Sequence, residues 1–329
     1  MTAPTHERFP PPPPTEIDPV VEDLHGTRLV DDYRWLEDQQ GPATRAWIDE
    51  QNRYTDALLG DRPERGDLAA AFERLVRVDN RGVPTVRGER LFYGRRLAGE
   101  NQGRICVRDG AAGEERILVD PTEIAADESA AVELQSVTRD GERIAYAIRE
   151  GGEDEVRIRF RDVESGEDLA DELPKGRYYG VGFVEDGRRY VITRLEADGP
   201  RVYLRALGED GEQELFGAGY GPERIVYVVV GNAGRWLAIH VLEGSAGEKT
   251  ELWVLDLAAG DGPVPVNTEL GATFHGEVRD GRLYMATNHE APNGRVLAVD
   301  AATPGREHWQ EIVPEHPEGV IEGVALCGG

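Results

Sequence analysis

Four serines, Ser129, Ser136, Ser165 and Ser245, could in principle act as nucleophiles in this 329-residue chain. A hydrolase nucleophile elbow sets its serine between closely placed glycines, because the strained strand-to-helix turn tolerates no bulk. Only Ser245, in Glu243-Gly244-Ser245-Ala246-Gly247, has glycine on both sides. Glu243 stands where the elbow wants glycine, and the surroundings read as a loop between strands, so a nucleophilic Ser245 is not expected. His25 lies beside Gly26 in a turn, and His240 follows an apolar strand. His275, His289 and His316 are scattered without the i,i+3 or i,i+4 spacing of a metal pair. Cys106 and Cys327 lack metal-type spacing and read as two buried, reduced thiols. Acidic runs such as 150–155 and 209–214 read as solvated loop tips, and none matches a twelve-residue calcium loop. The expected catalytic, cofactor and metal residues of this chain are therefore none.

The elements that would position a site follow from a repeat. Asp140-Gly141, Asp186-Gly187, Asn232-Ala233-Gly234 and Asp280-Gly281 are each followed by a run of β-formers, and Gly88-Glu89-Arg90-Leu91 is a weaker first copy. The turn glycines fall at 88, 141, 187, 234 and 281, spacings of 53, 46, 47 and 47 residues. A period in the forties with tight polar turns between strands predicts a β-propeller of four-stranded blades. Blades are expected at about 83–119, 132–173, 178–216, 225–266 and 274–313. Val320–Leu326 reads as the first strand of a sixth blade. Blade faces left toward missing blades are expected to expose apolar surface and strand edges, giving marginal solubility or an oligomeric state.

The segment before the repeats is helical in pattern. Gly41-Pro42 opens a helix with Trp47, Tyr54 and Leu58 on one face. Asp61 and Pro63 open a second, with Leu68, Phe72 and Leu75 on its buried side. Three regions result: a disordered, proline-rich 1–19, a helical 20–76 and a partial propeller over 77–329.

Charge narrows the partners. With 37 basic and 63 acidic residues the formal net charge is −26, which argues against nucleic acid and against anionic membranes. Only Lys175 and Lys249 are lysines, and arginine makes up the rest of the basic set. No apolar stretch approaches the roughly 20 residues of a membrane span. Residues 1–15 lack a basic and an apolar signal region, so a cytoplasmic protein is expected.

Several segments together resemble the prolyl oligopeptidase family of serine peptidases. They are Glu22-Asp23-Leu24-His25-Gly26, Asp32-Tyr33-Arg34-Trp35-Leu36-Glu37-Asp38, Thr44-Arg45-Ala46-Trp47-Ile48 and Glu50-Gln51-Asn52. Gly99-Glu100-Asn101-Gln102, Val119-Asp120-Pro121, Thr287-Asn288-His289, Pro292-Asn293 and Ile312-Val313-Pro314-Glu315-His316 continue the likeness into the first and fifth blades. The oligopeptidase B group differs around the Tyr33-Arg34-Trp35-Leu36 motif, which favours the prolyl enzyme. The resemblance implies a mainly β fold: about five of seven propeller blades, preceded by helices that belong to an α/β-hydrolase domain. It implies a cofactor-free enzyme that cleaves short peptides after proline, with the propeller gating access and the Ser/Asp/His triad in a C-terminal part not contained in this chain. An aromatic residue at an inner-strand start of the third blade reaches the peptide in that family. Arg177-Tyr178-Tyr179 falls there, making Tyr178 the implied substrate contact, with ordinary blade packing as the alternative. The loop between Leu195 and Tyr203 is shorter than the family's. A reading from another class is a stand-alone propeller acting as a binding module.

Overall fold

The computed structural model describes residues 9–60, 62–185, 187–244, 247 and 249–326. Ser245, Asp61, Asp186 and Cys327 lie outside the described residues. The chain divides into two compact units, the first ending at Val78 and the second beginning at Asp79.

In the first unit, Val20–Leu24 and Thr27–Asp31 pair as a hairpin through a turn at His25 and Gly26, both at positive φ. Two helices follow, Pro42–Leu59 and Pro63–Val76, each with proline in its first turn, where the missing N–H costs nothing. Arg34 ties the hairpin to the segment after it, pairing with Glu22 and Asp31 at 2.8 Å each. The half-buried face carrying Trp47 and Tyr54 meets the proline-rich segment. Trp47 Nε1 donates to Thr15 Oγ1 (3.0 Å) and Tyr54 Oη to the Pro10 carbonyl (2.6 Å). Pro10, Pro13 and Thr15 thus each accept a hydrogen bond from this helix. The second helix departs from expectation: Leu68, Phe72 and Leu75 are 57%, 62% and 71% exposed, because no element of this unit packs over them.

In the second unit each repeat folds as an antiparallel meander of neighbouring strands. The sheets run over 80–119, 130–176, 180–216, 224–267 and 274–313. The first blade's innermost strand is broken into Asn80–Arg81 and Thr85–Arg87, both paired with Arg90–Arg96. Pro84 lies in the break, where a proline cannot donate to the ladder. Successive blades bury their facing sides against each other. Phe160, Phe183 and Tyr190 interlock between blades two and three, with Phe160 and Tyr190 ring centres 4.6 Å apart. Leu252, Phe274, Val278, Leu283 and Met285 do the same between blades four and five. The first strands of all five blades border one cavity, which makes the arrangement radial about a common channel.

Two expectations need correction. Val320–Leu326 forms no strand. It runs over blade five, with Ile321 N donating to the Asn293 carbonyl (2.8 Å) and Arg279 donating to the Leu326 carbonyl (2.7 Å). A blade's first strand gains its ladder from the second, and no such partner is present among the described residues.

The open faces of blades one and five are also more polar than expected. Blade five alternates Phe274, Gly276 and Val278 toward blade four with His275, Glu277 and Arg279 on the opposite side. On blade one, Tyr93 and Cys106 are buried beneath Arg95, Arg108 and Glu115. Exposed apolar residues there, such as Ile117, are scattered.

Candidate functional site

The channel is built where the first strands end in their turns. It encloses about 680 Å³ and is bordered by Arg87, Ser136, Arg139, Phe183, Glu185, Val230, Asn232 and Arg279, among others. The blades are stitched together at this level. Arg87 Nε donates to the Val137 carbonyl (3.3 Å), Phe183 N to Ser136 Oγ (3.2 Å) and Glu185 N to the Gly234 carbonyl (3.2 Å). Asn232 and Asp280 exchange two hydrogen bonds of 3.0 and 3.1 Å between blades four and five. Each bond satisfies a backbone or side-chain group at a blade edge, so the channel wall is held rigidly.

A second cavity of about 420 Å³ meets the first at Val229 and Glu277. Its walls come from Tyr227 and His240 of blade four, His275, Glu277 and Tyr284 of blade five, and residues 320–324 and 326. Tyr227 stacks on His240 with ring centres 4.3 Å apart and hydrogen-bonds His275 Nδ1 at 3.0 Å. His240 Nε2 accepts from Gly276 N (2.8 Å), which leaves the proton on Nδ1, an atom with no hydrogen-bond partner. Burial pushes the His240 pKa down to about 3, so the ring is neutral at physiological pH. It lies between strands with 1% of its surface exposed, placed for packing rather than proton transfer.

Tyr178 stands apart from both cavities. It leads into the first strand of blade three with φ +55°, and its side chain is exposed. A tyrosine in the left-handed region is strained by roughly 1–2 kcal/mol. Its carbonyl faces Thr193 Oγ1 at 3.5 Å. Tyr179 is the packing residue of the pair, its ring against Gly176. The short connection after Leu195 is a tight hairpin in which Glu196 pairs with Gly199.

No serine hydroxyl among the described residues hydrogen-bonds a histidine. Ser136 accepts from blade three and Ser165 bonds Asp162. His289 meets Arg306, and His316 accepts from Glu318 N. Ser245, the one serine flanked by glycines, lies outside the described residues. The arrangement offers a concave, mixed-polarity conduit suited to binding. Sequence reasoning did not pick out Glu277 and Tyr284, although the alternation of 274–279 puts His, Glu and Arg on one side of that strand.

Comparison with known proteins agrees with this architecture. Residues 12–329 match the family described as prolyl oligopeptidase, N-terminal beta-propeller domain. A prolyl endopeptidase of Elizabethkingia meningoseptica is 25% identical over 307 residues, covering 89% of this chain and 43% of the relative. A solved structure from a mechanistic study of two prolyl endopeptidases superposes with a TM-score of 0.86 at 27% identity, over 96% of this chain and 48% of that one. Oligopeptidase B from Leishmania major shares the fold with a TM-score of 0.76 at 18% identity, over 93% of this chain and 46% of its own. This chain thus spans less than half the length of these relatives. With the blades, their channel and the match over 12–329 in agreement, the chain belongs to the prolyl oligopeptidase family and carries its N-terminal β-propeller domain.

Proposed function

We propose that this chain is the substrate-admitting part of a cytoplasmic serine endopeptidase that cleaves short peptides after proline. In this reading the propeller channel screens what reaches the active site, and the chain by itself hydrolyses nothing. The observation that carries it is the pairing of a family match over 12–329 with a rigid channel that holds no serine–histidine pair among the described residues. Relatives named prolyl endopeptidases are more than twice as long as the matched region, which leaves room for a triad outside it. Tyr178, exposed at the entry to blade three, is the proposed peptide contact.

A fluorogenic Gly-Pro substrate assayed with purified 1–329, beside Ser245→Ala, tests the inactivity. Background rate in both is expected. Turnover abolished by the substitution would make Ser245 a nucleophile and overturn the assignment. Coding sequence downstream of residue 329 is expected to specify a Gly-x-Ser-x-Gly elbow. A downstream sequence without one would sink the peptidase reading.

A further inference from the structure

The proline-rich segment before the hairpin lies on the helix Pro42–Leu59 in one continuous register. Trp47, Gln51, Tyr54 and Leu58 recur at helical spacing and are half-buried, forming one stripe along that helix. The segment runs along this stripe in the opposite direction. Trp47 Nε1 donates to Thr15 Oγ1 (3.0 Å), Gln51 Nε2 to the Pro13 carbonyl (3.4 Å) and Tyr54 Oη to the Pro10 carbonyl (2.6 Å). Both ends are held as well. Trp35 Nε1 donates to the Glu16 carbonyl (3.0 Å), and the Arg62 guanidinium lies 5.4 Å from the Phe9 ring centre.

The chemistry of this contact is that of peptide recognition rather than of a core. Each residue from Pro10 to Pro13 precedes another proline, which confines it to the extended polyproline II form. That form makes no internal hydrogen bonds, so its carbonyls are free for an outside donor. With three residues per turn, the Pro10 and Pro13 carbonyls fall on the same side, and both are taken. Pro10, Pro11, Pro12 and Pro14 stay exposed, so their rings fill no interior. Among the described residues, the first backbone–backbone hydrogen bond from this segment to the rest of its unit is Asp18 N to the Asp32 carbonyl, beyond the prolines. Aromatic and amide donors set against a stiff, extended proline backbone are the means by which grooves read proline-rich peptides, and a backbone already extended when free costs little to order. We propose that the Trp47, Gln51 and Tyr54 face is a docking surface for proline-rich peptides in the polyproline II form, with Pro10 to Pro14 as its resident ligand. The covalently attached segment covers the face as a strap, and a proline-rich segment of a partner docks when the strap is released. This holds independently of the channel and of peptide cleavage.

Calorimetric titration of the 329-residue chain with the neutral peptide N-acetyl-Phe-Pro-Pro-Pro-Pro-Pro-Thr amide tests this. An attached occupant competes at an effective concentration on the order of millimolar, so the parent chain should bind the added peptide weakly. Replacing Pro10, Pro11, Pro12, Pro13 and Pro14 together by glycine loosens the strap and should raise that affinity about tenfold or more. In this released chain, Tyr54→Phe and Gln51→Ala should each lower affinity about fivefold, the loss of one hydrogen bond. Alanine favours the helix, so Gln51→Ala guards against a folding defect at Tyr54. A control peptide with glycine at its second, third and fifth prolines keeps the two accepting carbonyl positions and should bind about tenfold more weakly. No binding to the released chain, equal affinity in the parent and released chains, equal binding of the glycine control, or indifference to both substitutions would overturn the docking surface.

Discussion

At the residue scale the turn glycines do two different jobs. Gly234 has φ +73°, and a Cβ there would lie 2.2 Å from the Glu185 backbone nitrogen of the neighbouring blade. Gly281 has φ +77°, but nothing lies within 4 Å of its Cβ position. Gly281→Ala should therefore cost only the left-handed backbone penalty, about 1 kcal/mol. Gly234→Ala adds overpacking between blades and should cost about 3 kcal/mol in total. Urea midpoints of the two variants measure the difference, and equal losses would refute the interblade role. Cys106 gives a second residue-scale outcome. It is fully buried, and burial pushes its thiol pKa up to about 11, away from the reactive thiolate. In a Cys327→Ser background, a disulfide reagent at pH 7.5 should label Cys106 only on the timescale of unfolding.

At the element scale, the open face of blade one is held by charge around Glu115. Tyr93 Oη donates to it at 2.6 Å, Arg95 pairs with it directly, and Arg108 and Arg81 approach to 3.8 and 4.0 Å. Burial raises the Glu115 pKa, but the Tyr93 hydrogen bond and the Arg95 charge outweigh it and hold the carboxyl below its ordinary value of 4.5. A depressed carboxyl contributes stability above the unfolded value, and that contribution is lost as pH falls through the folded one. Glu115→Gln should therefore cost about 1–2 kcal/mol at pH 7, a cost that shrinks as pH falls below 4.5 and through the folded value. Denaturant midpoints across pH 3–7 check this: the variant and parent curves should converge in acid. Parallel curves would show that Glu115 is not the coupling group.

At the scale of the whole molecule, exposed apolar surface is concentrated in the helical unit rather than on the open blade faces. Leu68, Phe72 and Leu75 form an uncovered stripe on Pro63–Val76. Self-association of the chain is therefore expected to run through this helix. Phe72→Ser with Leu75→Ser should shift the chain toward monomer in light scattering while changing stability by no more than about 0.5 kcal/mol. Persistent oligomers in that variant would return attention to the blade edges. The charge of −26 spread over the surface opposes non-specific association, so the effect should be clearest at high salt, where repulsion is screened.

What the sequence determined by itself is what local rules encode. The turn-glycine period placed five blades, and the alternation in strands such as Val156–Asp162 decided which side faces a core. Prolines 42 and 63 marked both helix starts. Tertiary structure decided the rest, because the remaining features depend on residues far apart in the chain. Whether Val320–Leu326 becomes a strand depends on a hydrogen-bonding partner, and whether Leu68 and Phe72 are buried depends on what packs against their helix. Tyr227, His240, His275 and Glu277 come from three strands in two blades, and only the stacking of those blades brings them to one wall.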